Sequence, residues 1–167
     1  MNSGEKAKLK QKAAQAEKEN KAFLGKLRKK KNLKLERVLY ELHEEAFALF
    51  DCLECANCCR SVSPIIYERD IDRISRHLKM RPSRVTEQHF QKDEEGDFVF
   101  KTTPCPFLME DNYCSIYKVR PKSCRDYPHT NQIEFIRNYQ VTIKNTYICP
   151  IAFHAMEKLK ERLGPML

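Results

Sequence analysis

The sequence contains no tryptophan and only four glycines among its 167 residues. No apolar run reaches eighteen residues, which excludes a membrane-spanning helix. Neither an internal repeat nor a flexible Gly/Ser linker divides the chain, so its length corresponds to one domain's worth of chain, a single modest core with room for an extension. The N-terminal stretch MNSGEKAKLKQKAAQAEK is basic but lacks the apolar h-region and small-residue cleavage site of a secretory signal. Glu5, Glu17 and Glu19 interrupt its basic face and arginine is missing there, which disfavours a mitochondrial presequence. The expected location is the cytoplasm. Also absent are a Gly-rich nucleotide loop, an HExxH helix and an isolated Cys/His/Asn set, so no familiar catalytic motif stands out.

Cysteine is what the chain has in excess. Eight are present, Cys52, Cys55, Cys58, Cys59, Cys105, Cys114, Cys124 and Cys149. The first four fall in DCLECANCCR, spaced C-x2-C-x2-C-C. In a secreted protein they could form four disulfides. In a reducing cytoplasm, a cluster of this density reads as metal-binding or redox-active.

Charge is distributed unevenly. Residues 1–37 hold 13 Lys and Arg against 4 Glu, a net of +9, and the other 130 residues hold 18 against 19, a net of −1. The excess therefore sits in an N-terminal arm, and the cysteine-bearing body is close to neutral. Residues 4–31, rich in Lys, Ala, Gln and Glu, read as a solvated or fraying helix. From Phe23 an apolar spacing sets in, and steps of three and four through Leu35, Val38, Leu39, Leu42, Ala46 and Leu49 predict an amphipathic helix over about 33–50. Ser63-Pro64 resembles a helix start, for a helix carrying Ile65, Ile66, Ile71, Ile74 and Leu78 and ending near Lys79. Ser83 caps a third short helix carrying Val85 and Phe90. EEGD at 94–97 is a turn, Phe98–Thr103 a strand, and CPFLMEDNYCSIY a hairpin with its turn at Asp111-Asn112. RPKSCRDYP at 120–128 is a loop or single helical turn, 133–143 is ambiguous between strand and helix, and 151–163 is a helix stopped by Gly164-Pro165.

Two backbone paths are open to the first cluster. As a helix, it would place Cys52, Cys55 and Cys59 within an arc of about 60°. As a loop, it would let Cys52, Cys55 and Cys58 converge as ferredoxin ligands do. Under both, the adjacent Cys58 and Cys59 are expected to diverge. Four ligands complete a tetrathiolate zinc site or an iron–sulfur cubane, so eight thiols suffice for two centres or for one with spares. Arg60, Lys118, Arg120, Lys122 and Arg125 lie near cysteines in sequence and can offset thiolate charge. His129 and His154 each lie five residues from a cysteine, but the commoner reading is an ordinary surface or helix histidine. No role is assigned to His43, His77 or His89.

The order C-x2-C-x2-C-C, CPFL, CSIYKVRPKSCRDYP and Cys149-Pro150 resembles the CxxCxxCC cysteine-cluster family (YkgJ-type), a zinc- or iron-chelating domain related to one in flagellin lysine methylases. The resemblance spans about residues 48–155. It implies ligand roles for all eight cysteines, with Arg120, Pro121, Arg125, Tyr127 and Pro128 as motif companions. The fold expected is α+β, a small, mainly helical metal-stapled domain with a short β-hairpin at 33–167, preceded by a long basic N-terminal helix, or partly disordered arm, at 1–32. The function expected is binding of zinc or an iron–sulfur centre through thiolates, the metal being structural or electron-carrying. One alternative is a metal-dependent protein-modifying or redox enzyme. Another is association with nucleic acid or the ribosome through residues 1–37, where phosphates would meet a Lys-rich helix; with only Phe23 before Tyr40, base stacking by the arm is not expected. No membrane partner is expected.

Overall fold

A computed structural model describes residues 1–30 and 35–166. In chain order its helices are α1 (Ser3–Leu27), α2 (Leu35–Leu49), α3 (Cys52–Cys55), α4 (Glu68–Leu78) and α5 (Pro82–His89). Strands β1 (Phe90–Lys92) and β2 (Phe98–Phe100) follow, then α6 (Lys122–Asp126), α7 (Glu134–Arg137), α8 (Tyr139–Thr146) and α9 (Pro150–Leu163). The fold is mainly helical α+β with a long N-terminal helix, as the sequence predicts. The first positions of the helix predicted over 33–50, and the boundary drawn at 32–33, fall outside the described residues.

The chain divides into two compact units, residues 1–51 with 128–167, and residues 52–127. The first unit is built from helices alone. Its α2 packs on α9, and α1 packs on both α8 and α9. The amide of Asn2 and the carboxylate of Glu5 cap the start of α1 reciprocally, at 2.9 and 2.7 Å. The α1 side chains Leu9, Ala13, Phe23, Leu24 and Leu27 are buried, while its lysines face solvent. The ambiguous stretch around 133–143 resolves as helix, Phe135, Ile136 and Ile143 being buried from α7 and α8.

The second unit encloses its own core of Ile66, Ile71, Ile74, Val85, Phe90, Phe100, Phe107 and Ile116. Strands β1 and β2 pair antiparallel, Phe90 opposite Phe100, across the turn at Gly96. Phe90 therefore belongs to a strand, not to the preceding helix as the sequence suggested. The Ser63-Pro64 start also moves. Helix α4 opens at Glu68, where the Asp70 carboxylate accepts from the Tyr67 N–H at 3.1 Å. Ser63 is used elsewhere, its hydroxyl accepting from the Phe100 N–H at 2.9 Å. Ile66 bridges β2 at Phe98 on the same side, and the Phe100 N–H beside it donates to the Ser63 hydroxyl.

Candidate metal centre

From Cys52 the backbone makes one helical turn, α3, closed by the Ala56 N–H on the Cys52 carbonyl at 2.9 Å. Ala56 then takes a left-handed φ of 44°, a conformation L-residues other than Gly, Asn and Asp rarely adopt. A 3-10 turn follows at Cys58–Arg60. The segment is thus neither the continuous helix nor the open loop considered from sequence, but two short turns joined by a reversal. Nor does the adjacent pair splay apart: the sulfurs of Cys58 and Cys59 stand 4.0 Å from each other.

The predicted hairpin at 105–117 exists as a tight turn and not as regular strands. Leu108 and Cys114 form an isolated antiparallel bridge, and the Ser115 N–H donates to the Phe107 carbonyl at 2.9 Å. Asn112 sits at the tip with a left-handed φ of 70°, which asparagine tolerates. Its side chain reaches back to the first cluster: the amide nitrogen donates to the Glu54 carbonyl at 3.2 Å, and the amide oxygen accepts from Arg60 at 2.5 Å. At the other end of this turn the Cys105 N–H donates to the Cys59 carbonyl at 2.8 Å. Cys105 and Cys114 pack against the unit's apolar core, so their backbones are fixed before any ligand arrives.

The third contribution comes from α6, which carries Cys124. Asp70, 2% exposed, accepts from Arg73 at 2.6 Å and from the Lys122 N–H at 3.1 Å. Arg73 in turn donates to the carbonyls of Val119 and Arg120, at 3.3 and 2.8 Å. The Ser123 hydroxyl donates to the Ile65 carbonyl at 2.8 Å. Buried charge is retained only where it is paired and hydrogen-bonded, and here the pairing ties α4 to the loop that presents Cys124.

Electrostatics shows which thiols share a neighbourhood. Hydrogen bonding from Cys58 brings the Cys59 thiol down to about 7 against the opposing effect of burial, with help from the nearby Arg60 charge. Burial first, then the charges of Cys59 and Cys114, push Cys105 up to about 11. Burial, followed by Cys105, Cys59 and Cys114, pushes Cys124 up to about 12. Cys114 is raised for the same reasons, burial before Cys59. Cys59, Cys105, Cys114 and Cys124 therefore lie within electrostatic reach of one another. Arg120 opposes the rise at Cys114 and Cys124 and lies with its guanidinium 3.9 Å from the Tyr117 ring centroid. Among the described residues no three His, Cys, Asp or Glu side chains stand as a ready-made ion cage. The four thiols form a neighbourhood and not a closed coordination shell.

Cys52 is exposed and Cys55 and Cys58 are partly buried in the same segment. Cys149 is buried at the head of α9, its N–H donating to the Asn145 carbonyl at 2.8 Å. Three of the five histidines find structural partners: His43 with Thr130 at 2.8 Å, His89 against the Phe107 ring, and His154 with Glu45 at 3.2 Å. What the sequence did not disclose is the supporting set, Asp70, Arg73, Asn112 and Ser123. A carboxylate three residues into a helix is a visible capping signal for Asp70, but its second job, holding Lys122, depends on a contact 52 residues away.

The profile of the CxxCxxCC family, described as "Putative zinc- or iron-chelating domain", matches residues 51–150. The chain is also similar to Uncharacterized protein MJ0661 of Methanocaldococcus jannaschii, at 28% identity over 120 residues. That alignment covers 70% of this chain and 63% of the relative, so the chain spans less than two thirds of the curated protein it matches. No solved structure matches it. With the profile covering well over half of the residues, the chain belongs to the CxxCxxCC family.

Proposed function

Starting from that membership, we propose that the protein is a thiolate metal-binding protein in which Cys59, Cys105, Cys114 and Cys124 hold one zinc or iron centre. Cys52, Cys55, Cys58 and Cys149 are further ligands on the strength of the family motif. The observation that carries the reading is the bond of the Cys105 N–H to the Cys59 carbonyl at 2.8 Å, which joins two of the three segments whose thiols, Cys59, Cys105, Cys114 and Cys124, share an electrostatic neighbourhood.

The donor set suits such a centre. Four sulfurs are the ligand complement of structural zinc and of iron–sulfur clusters. What the neighbourhood lacks is positive charge: burial and mutual repulsion hold Cys105 and Cys124 as neutral thiols, and Arg120 offsets this only in part. A bound cation supplies the missing charge, and binding then releases protons from thiols that would otherwise stay protonated. The reading makes the metal a staple between the Cys59 turn, the Cys105–Cys114 turn and α6, all within the second unit.

The test is metal content per chain after purification without oxygen, together with the visible spectrum. Zinc gives a colourless protein, and a brown solution absorbing near 400 nm reports an iron–sulfur cluster. Ser replacement at each of Cys59, Cys105, Cys114 and Cys124 should remove the same metal equivalent. A protein that carries neither metal, or four variants that keep full content, would overturn the proposal.

A further inference from the structure

Away from the cysteines, the first unit contains a groove that neither the family nor the relative assigns. It lies between the C-terminal half of α1 and the start of α8, with a volume of ≈ 590 Å³. Ala22 and Gly25 floor it, Lys21, Arg28 and Lys29 rim it, and Tyr139 closes one side. A Cβ built on Gly25 would meet nothing within 4 Å, so the floor is open. The guanidinium of Arg28 lies over the Tyr139 ring, 5.2 Å from its centroid.

Three features define the ligand. First, the groove continues along the helix. Lys10, Lys18 and Lys21 recur on one exposed side of α1, a span of about 17 Å at 1.5 Å per residue, and Arg28 and Lys29 follow just past its C-terminal end. Second, the neighbouring acids cancel only one cation of the track. Glu17, which also accepts from Tyr147, pairs with Lys21, and Glu19 pairs with Lys160 at 2.9 Å. Among the described residues neither Arg28 nor Lys29 is ion-paired. Third, the Tyr139 ring, with the Arg28 guanidinium over it, stands beside the track.

The combination of a line of cations with an aromatic ring is the chemistry that receives an unpaired nucleotide. A lipid surface would ask for exposed large apolar side chains, and none lines the groove. An acidic peptide would use the cations but leave the ring idle. A duplex keeps its bases stacked on each other and could use only the charges. We infer that the groove between α1 and α8 binds single-stranded nucleic acid, the phosphates running along the lysine track and one base stacking at Arg28 and Tyr139. The inference is independent of the metal. The ring was invisible to a reading of the basic arm, because Tyr139 stands more than a hundred residues away and reaches the groove only through the packing of α8 on α1.

The experiment is fluorescence anisotropy of labelled U12 and dT12 with the full chain at 50 and 200 mM salt. A 12-base-pair duplex, polyglutamate and phosphatidylserine vesicles serve as competitors. Both single strands should bind, and should be displaced less well by the duplex than by each other. Arg28→Ala with Lys29→Ala should weaken binding and flatten the slope of log K against log salt by about 1.4, two cations at roughly 0.7 each. Tyr139→Ala should weaken binding by between about 5- and 100-fold with the slope unchanged, since stacking is uncharged. Tyr139→Phe should restore it. Circular dichroism distinguishes loss of binding from loss of fold. Wild-type affinity in Tyr139→Ala, equal displacement by polyglutamate or vesicles, or no binding at 50 mM salt would each overturn the inference.

Discussion

Cys58 and Cys59, neighbours in a 3-10 turn, hold their sulfurs 4.0 Å apart and share a hydrogen bond that brings Cys59 down to about 7. Tetrahedral zinc with Zn–S near 2.3 Å separates its sulfurs by about 3.8 Å, so the distance alone does not assign the pair to separate ions. Cys59 is also coupled to Cys105, Cys114 and Cys124.

The first prediction follows from that coupling. Cys59→Ser should remove the metal held with Cys105, Cys114 and Cys124, and Cys58→Ser beside it reports whether the adjacent pair shares that ion. Metal analysis and thiol alkylation of the two variants decide it. Equal loss of the same equivalent in both would mean one ion shared by the adjacent pair.

Asp70 should matter to the centre without touching it. Asp70→Ala removes the acceptor for the Tyr67 and Lys122 N–H groups and leaves Arg73, 28% exposed at its side chain, without its carboxylate. Breaking one side of a buried pair costs roughly 3–5 kcal/mol. Urea unfolding should register that loss, and the metal should leave faster to a chelator because α6 is no longer tied to α4. Wild-type stability would refute the brace.

A smaller effect is expected at the tip of the second turn. Asn112→Gly keeps the left-handed backbone but deletes the hydrogen bonds to Arg60 and Glu54. A hydrogen bond to a charged group contributes about 1.5–3 kcal/mol. Chelator-driven metal release should therefore accelerate by roughly tenfold or more, with little change in helical content. An unchanged release rate would show that the Cys105–Cys59 backbone bond suffices.

These supports mark where sequence reasoning stopped. The helices α2, α4 and α9 were legible because their apolar residues repeat at helical intervals, and the eight thiols were legible as residues. Their grouping was not. It depends on where Asn112 and Asp70 reach, and those contacts join positions 52 or more residues apart. Ser63 misled for a related reason: beside proline it reads as a cap, but its hydroxyl accepts from the Phe100 N–H, 37 residues away. The burial of α1 was also underestimated, since Leu9 and Ala13 lie among lysines that mask a weak apolar stripe.

On α1 the structure shows a site of excess cost. Asn20 is fully buried, and neither its amide nitrogen nor its oxygen has a hydrogen-bond partner in the structure. A buried unsatisfied polar group costs about 1–3 kcal/mol. Asn20→Leu should raise the urea midpoint accordingly, at unchanged m-value. A lower midpoint would indicate that an internal water completes the amide's bonding.

The last prediction concerns acid. His43 is partly desolvated beside the Phe47 ring and bonded to the buried Thr130 hydroxyl at 2.8 Å. Burial holds its imidazole below the ordinary value of 6.5, and the nearby Glu44 opposes this only in part. Because the folded form takes up its proton less readily than the unfolded form, the unfolded chain binds more protons as pH falls through 6.5. Stability is then full above that pH and declines below it, until the folded-state value is passed. His89 is lowered too, by burial and then by Lys101, so it adds to the same decline. Urea midpoints of wild type, His43→Gln and His89→Gln between pH 8 and 5.5 separate the two contributions. Each variant should lose part of the slope below 6.5 that the wild type shows. Cysteine–metal bonds weaken in acid as well, but that effect is common to all three proteins and cancels in the comparison. If His43→Gln keeps the full wild-type slope, the contact with Thr130 is made equally well by the protonated ring.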